Sequence, residues 1–162
     1  MMRPPPTLET AVGNIYCNIY RVTRSRSGTR RRPRILIVDD VEDNRRVYAT
    51  FLRTRAFAVT VAADGHQALA KARAQRPDLV VMDLAIPGID GWEVTRRLKR
   101  DRRTRDIPVI ALTGHVLAGA REAAERAGCR MFLTKPCLPD DLIRAIQQIL
   151  GETIAPTPRR RT

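Results

Sequence analysis

The sequence predicts a doubly wound α/β domain built on a five-stranded parallel sheet. From Arg34 onward, short apolar runs of strand length alternate with amphipathic stretches of helix length, which is the sequence form of a βα-repeat domain. The runs are continuously apolar rather than alternating, as strands buried on both faces are. Five such units follow one another, and for a sheet of this kind 2-1-3-4-5 is one of the two common strand orders.

The strands are predicted at Ile35–Val38, Ala58–Val61, Leu79–Met82, Val109–Leu112 and Met131–Leu133. Helices are predicted between and after them, at Glu42–Thr54, Asp64–Gln75, Trp92–Arg100, Leu117–Ala127 and Pro139–Leu150, because apolar residues recur there at three- and four-residue steps. Val47, Phe51 and Leu52 are expected to face inward on the first helix, and Leu142, Ile146, Ile149 and Leu150 on the last. Turn chemistry agrees: Asp64-Gly65 opens the second helix, Pro77-Asp78 precedes the third strand, and Gly128 stands where the fourth helix would end.

The flanks read differently. Residues 1–33 are expected to be a disordered basic extension, with Ile15–Val22 as a short ordered piece, and residues 151–162 a disordered basic tail. The domain itself is assigned to residues 34–150. The formal charge of +13 is concentrated in these flanks: residues 1–34 carry eight Arg and one Glu, and residues 151–162 three Arg and one Glu. Cys17, Cys129 and Cys137 make no CxxC pair and are odd in number, which argues against a disulfide framework or a thiolate zinc site. No apolar stretch suits a secretory signal or a membrane span, so a reduced cytoplasm is the expected compartment.

Open α/β sheets bind ligands beyond the carboxyl ends of their strands, where strand order reverses. Polar residues gather at those ends: Asp39 and Asp40 after the first strand, Asp83 after the third, Thr113 after the fourth and Lys135 after the fifth. In the 2-1-3-4-5 order they should converge. Carboxylates so close repel unless cations share the site. Mg²⁺ answers that need, since it takes oxygen ligands and is commonly held by one or two carboxylates plus a phosphate. Lys135 adds a point charge suited to a phosphoryl oxygen. Acids, Mg²⁺, one ammonium and one hydroxyl are what phosphoryl transfer needs, and a carboxylate nucleophile can form an acyl phosphate.

Four segments in order now carry a resemblance: Ile35-Leu36-Ile37-Val38-Asp39-Asp40; Val81-Met82-Asp83-Leu84 with Pro87-Gly88-Ile89-Asp90-Gly91; Val109-Ile110-Ala111-Leu112-Thr113-Gly114; and Leu133-Thr134-Lys135-Pro136. Residues 34–150 resemble the receiver domain of two-component response regulators, of the stand-alone, chemotaxis-regulator-like type. The resemblance implies a flavodoxin-like (βα)5 fold and a phosphoryl group accepted on Asp83 from a histidine kinase or histidine phosphotransfer protein. It implies that Asp40 ligates Mg²⁺ directly, Asp39 through water, and Asp83 and the backbone carbonyl of Ala85 complete the protein ligands. Thr113 and Lys135 would contact the phosphoryl group, Gly114 would leave room for it, and the Lys135-Pro136 bond would be cis, making Pro136 the family's cis-proline. Phe132 occupies the aromatic switch position, and with Arg121 and Arg130 marks the face expected to signal to an output protein. His115 lies where the family tunes hydrolysis of its phosphoaspartate, and Met131 stands where a small residue is frequent.

Two other function classes stay in view. One is a basic nucleic-acid-binding accessory with the receiver fold as scaffold, contacting phosphates through Arg30–Arg32 and Arg159–Arg161. The other is a phosphatase using Asp83; the second Asp two residues after the nucleophile, as in haloacid dehalogenases, is absent, since that position is Ala85. Slow self-dephosphorylation is expected instead of general hydrolysis.

Overall fold

The structure is a computed structural model, and its described residues are 31–114 and 120–154. Along these the chain forms β1 (Arg34–Val38), α1 (Glu42–Thr54), β2 (Ala58–Ala62), α2 (Gly65–Gln75), β3 (Leu79–Asp83), α3 (Gly91–Arg100), β4 (Val109–Thr113), α4 (Ala120–Ala127), β5 (Met131–Thr134) and α5 (Pro139–Ile154). The five strands pair in parallel in the order β2-β1-β3-β4-β5. Residues 32–150 make one compact unit.

The strand sequences explain why both faces of the sheet are covered. Side chains alternate sides along a strand. Leu36, Val38, Val80, Met82, Val109 and Ala111 therefore share one face, where they pack with Ala68, Leu69, Val94, Leu98 and Ala124 from α2, α3 and α4. Ile35, Ile37, Leu79, Val81, Ile110 and Leu112 share the other, packed with Tyr48, Leu52, Leu142, Ile146 and Ile149 from α1 and α5. Each full burial of a Leu, Ile or Val side chain stabilises by about 1.5–3 kcal/mol.

Helix ends follow local chemistry. Asp64 and Asp90 cap α2 and α3, their Oδ1 atoms accepting from Gln67 N at 2.8 Å and Glu93 N at 2.7 Å. Helix α4 stops at Ala127, and Gly128 follows with a φ of +94°, in the left-handed region a glycine adopts freely.

Two expectations are corrected. Val47 faces solvent at 55 % exposure, and Tyr48 and Ala49 are buried in its place beside Leu52. Residues 47 and 51 are four apart, but the buried arc of α1 is centred one residue later, because β1 and α5 together reach the helix from that side. Phe51 faces inward as expected, half-buried against that cluster. The last helix runs to Ile154 rather than ending at Leu150; Gly151 costs a helix about 1 kcal/mol but does not stop it. The extension 1–30, with Ile15–Val22 and Cys17, the tail 155–162, and Leu117 and His115 lie outside the described residues.

Candidate functional site

The site is assembled where β1, β3, β4 and β5 end. Parallel register brings these ends level, Val38 beside Met82 and Thr113 beside Thr134. Two backbone hydrogen bonds extend the ladders past the strands: Asp39 N donates to Ala62 O at 3.2 Å, and Lys135 N to Thr113 O at 2.7 Å. Asp39 and Lys135 are thus held as firmly as strand residues.

Successive side chains point opposite ways, which separates the two neighbouring acids. Asp39 is buried at 1 % exposure, whereas Asp40 is exposed. Asp83 is buried at 4 %. One carboxylate oxygen from each of Asp39, Asp40 and Asp83 lies within 4.8 Å of the others. Between the two buried carboxylates sits Lys135, whose Nζ donates to Asp83 Oδ2 at 2.6 Å and to Asp39 Oδ2 at 2.7 Å. Burial alone would push the Lys135 ammonium towards its neutral form; the hydrogen bonds to Asp39 and Asp83 outweigh it, so its pKa is raised above the ordinary lysine value.

The remaining carboxylate valences are also used. Asp83 Oδ1 accepts from Ala85 N at 2.9 Å, which ties the acid to its own turn. Asp39 Oδ1 accepts from Val41 N at 2.9 Å and from Asn44 Nδ2 at 3.3 Å, while its Oδ2 also accepts from Asn44 Nδ2 at 3.2 Å. The backbone oxygen of Asp39 accepts from Arg45 at 2.6 Å. Asn44 was not singled out by sequence; its position, five residues after Asp39 on the first turn of a helix, is the signal that points to it. Nor was Tyr48, whose hydroxyl donates to Cys137 O at 3.0 Å and fastens α1 to the segment that follows Lys135. Burial raises the Tyr48 pKa, with Cys137 adding to the effect.

Thr113 is buried at the end of β4. Gly114 is exposed, and a Cβ added to it would meet nothing within 4 Å. Gly91 is the opposite case. A Cβ there would run into Asp83 O and lie 2.7 Å from Leu84 Cα, so only glycine lets α3 begin against the strand end that carries Asp83. The Lys135-Pro136 bond is cis. Phe132 is half-buried and packs onto the cluster under α3 and α4, on the sheet face opposite Met131 and Leu133. Arg130 is exposed and donates Arg130 N to Val109 O at 2.8 Å; Arg121 falls in α4, and its side chain lies outside the described residues.

The donor set fits a hard dication. All candidate ligands are oxygens, and three carboxylates with one ammonium leave a formal charge of −2, which a divalent ion neutralises. No helix among the described residues is long and apolar enough to cross a membrane.

Comparison with known proteins places these features in a family. The response regulator receiver domain matches residues 35–147. The polar-differentiation response regulator DivK of Brucella anthropi is 35 % identical over 118 residues, covering 73 % of this chain and 96 % of DivK. A CheY-like receiver domain protein from Methanospirillum hungatei has a similar solved structure, with a TM-score of 0.71 and 27 % identity, covering 75 % of this chain and 95 % of that one. So does the receiver domain of sensor histidine kinase PA1611 from Pseudomonas aeruginosa, solved with magnesium coordinated in its active-site cleft, at a TM-score of 0.69 and 38 % identity over 74 % of this chain and 98 % of that one.

Proposed function

The chain belongs to the response regulator receiver domain family of two-component signalling, and on that premise we propose that Asp83 is its phosphoacceptor. The observation that carries the reading is Lys135 bridging Asp83 and Asp39 at 2.6 and 2.7 Å in a crevice open to Asp40. A carboxylate oxygen of Asp83 attacks the phosphorus of a phosphohistidine on a histidine kinase or histidine phosphotransfer protein. The P–N bond breaks, its electron pair returns to the imidazole, which takes up a proton, and an acyl phosphate forms on Asp83.

Asp39, Asp40, Asp83 and the carbonyl of Ala85 would hold Mg²⁺, which when bound supplies charge neutralisation for phosphoryl oxygens. Lys135 holds the Asp83 carboxylate in place before transfer, and afterwards pairs with a phosphoryl oxygen through its ammonium. The Thr113 hydroxyl donates to another phosphoryl oxygen. Movement of Thr113 frees space into which Phe132 turns, shifting the population of the face formed by α4, β5 and α5, with Arg121 and Arg130. Lacking a hydroxyl, Phe132 works by packing alone. The partner reading that face is an output protein; slow self-dephosphorylation resets the domain, and the cytoplasm is its place of action. The DivK likeness, which spans nearly all of that regulator, supports signalling through the domain's own surface.

Incubation with a small acyl-phosphate donor and Mg²⁺ tests the reading. Native protein is expected to gain one phosphoryl group, labile to base, and Asp83→Asn none. Equal labelling of the two would overturn the assignment.

A further inference from the structure

Residues 35–150 hold 19 basic and 15 acidic side chains, and the excess is not spread evenly. Between Glu93 and Asp106 lie seven basic and three acidic residues; everywhere else in 35–150 the two kinds balance at twelve each. Four of the six net positive charges of the folded unit, residues 32–150, therefore sit on α3 and the loop after it, the other two being Arg32 and Arg34. The helix dipole accounts for cations in the last turn of α3, where Arg97, Lys99 and Arg100 stand. It does not account for Arg96, in the middle of the helix.

Arg96 belongs to a different pattern. Trp92, Arg96 and Arg100 follow one another at four-residue steps, about 6 Å apart along one stripe of α3. The upper part of that stripe lines an open groove between α3 and α4, with Asp90, Trp92 and Arg96 on one wall and Ala123, Arg126 and Ala127 on the other. Arg96 is oriented by Glu93, whose Oε2 accepts from Arg96 Nε at 2.9 Å, while its Oε1 accepts from Arg97 Nε at 2.8 Å. Lys99 is committed to the fold instead, donating to Ile107 O at 2.6 Å and Arg105 O at 3.1 Å.

The chemistry of this surface selects a partner class. Protein interfaces have an apolar core, but the large hydrophobic residues exposed among the described residues, Val41, Val47 and Leu138, all lie elsewhere. Trp92 is half-buried against the core cluster and lines the groove with what it leaves exposed; an aromatic edge followed by evenly spaced guanidinium groups suits a single nucleic-acid strand, with a contact for a base and cations tracking the phosphates. Ala123 and Ala127 are the small residues on the wall opposite Trp92. We infer that the α3–α4 face of this domain binds single-stranded nucleic acid, through Trp92, Arg96, Arg100 and Arg126. None of its residues belongs to the Asp83 site, but it borders α4, so occupancy and the state of that helix are expected to influence each other.

Trp92 is the chain's single tryptophan, so its emission reports on the site directly. Short oligouridylate is titrated into the full chain at several salt concentrations. Saturable quenching of Trp92 is expected, weakening as salt rises. In a triple variant, Arg96→Ala with Arg100→Ala and Arg126→Ala, the slope of log affinity against log salt is expected to fall by about two, since each phosphate contact to a single strand contributes about 0.7. Thermal melting of that variant by circular dichroism checks that it is folded, and a milder single change, Arg100→Gln, should lower the slope by about 0.7. Replacing the arginines of Arg30–Arg32 and Arg159–Arg161 by Ser should preserve the quenching. The proposal is overturned by absent quenching, by an unchanged slope in the folded triple variant, or by quenching lost only when the flanking arginines are replaced. Equal quenching by uridine monophosphate or by polyglutamate would likewise overturn it, in favour of a mononucleotide pocket or a general polyanion surface.

Discussion

Lys135 Nζ lies 2.6 Å from Asp83 Oδ2 and is shared with Asp39, so one ammonium bridges two buried carboxylates that come from the ends of different strands. Removing it leaves like charges facing each other in a partly dry crevice. Breaking a buried pair on one side costs about 3–5 kcal/mol, and partial exposure of Lys135 reduces that. Lys135→Met is expected to lower stability in urea by about 2–3 kcal/mol without metal, and added Mg²⁺ should restore part of the loss. A variant as stable as the native protein under metal-free conditions would contradict this.

The same ammonium gives the domain an alkaline dependence. Its folded pKa is raised above the ordinary value of 10.5, so its contribution is complete below that value and is lost as pH climbs through the higher folded one. Melting temperature against pH should fall more steeply above about pH 10.5 in the native protein than in Lys135→Met.

Asp101 sets an acid dependence of opposite sign. Its carboxylate accepts from Arg103 N at 2.9 Å and Arg73 Nε at 2.8 Å, and these bonds hold its pKa down from 3.8 to about 2. Stability from this group is present above 3.8 and lost as pH falls towards about 2. Asp101→Asn should flatten the stability profile across that window, and an NMR titration of the Asp101 carboxyl should place its midpoint well below that of a free aspartate.

Gly91 meets the strand end that carries Asp83. A methyl group there would collide with Asp83 O and Leu84 Cα, both backbone atoms that yield only by moving the chain. Gly91→Ala is expected to cost about 1–3 kcal/mol and to slow acyl-phosphate labelling of Asp83. Gly114→Ala, where a Cβ meets nothing within 4 Å, should leave stability nearly unchanged. Parallel denaturation curves compare the two.

On α1, exposure decides the outcome where hydrophobicity does not. Leu52 is 1 % exposed and Val47 55 %. Leu52→Ala should cost about 2–5 kcal/mol and Val47→Ser no more than about 0.5 kcal/mol, read from urea midpoints at constant slope.

By itself the sequence determined the number, type and order of the elements and which residues stand at the strand ends, because both are written in local periodicity: apolar runs for strands covered on two faces, three- and four-residue steps for helices. The order β2-β1-β3-β4-β5 is one of the two that such sheets commonly take, and it is the one the structure has. Tertiary structure alone decided which neighbour of each pair faces inward. Asp39 is buried and Asp40 is not; Tyr48 is buried and Val47 is not. Those choices depend on the pleat of β1 and on where β1 and α5 press against α1, contacts between segments far apart in the chain. The bridge from Lys135 to Asp83 spans 52 positions, and the Tyr48 bond to Cys137 spans 89. No local pattern encodes distances of that kind, since they exist only once the parallel register has brought four strand ends level.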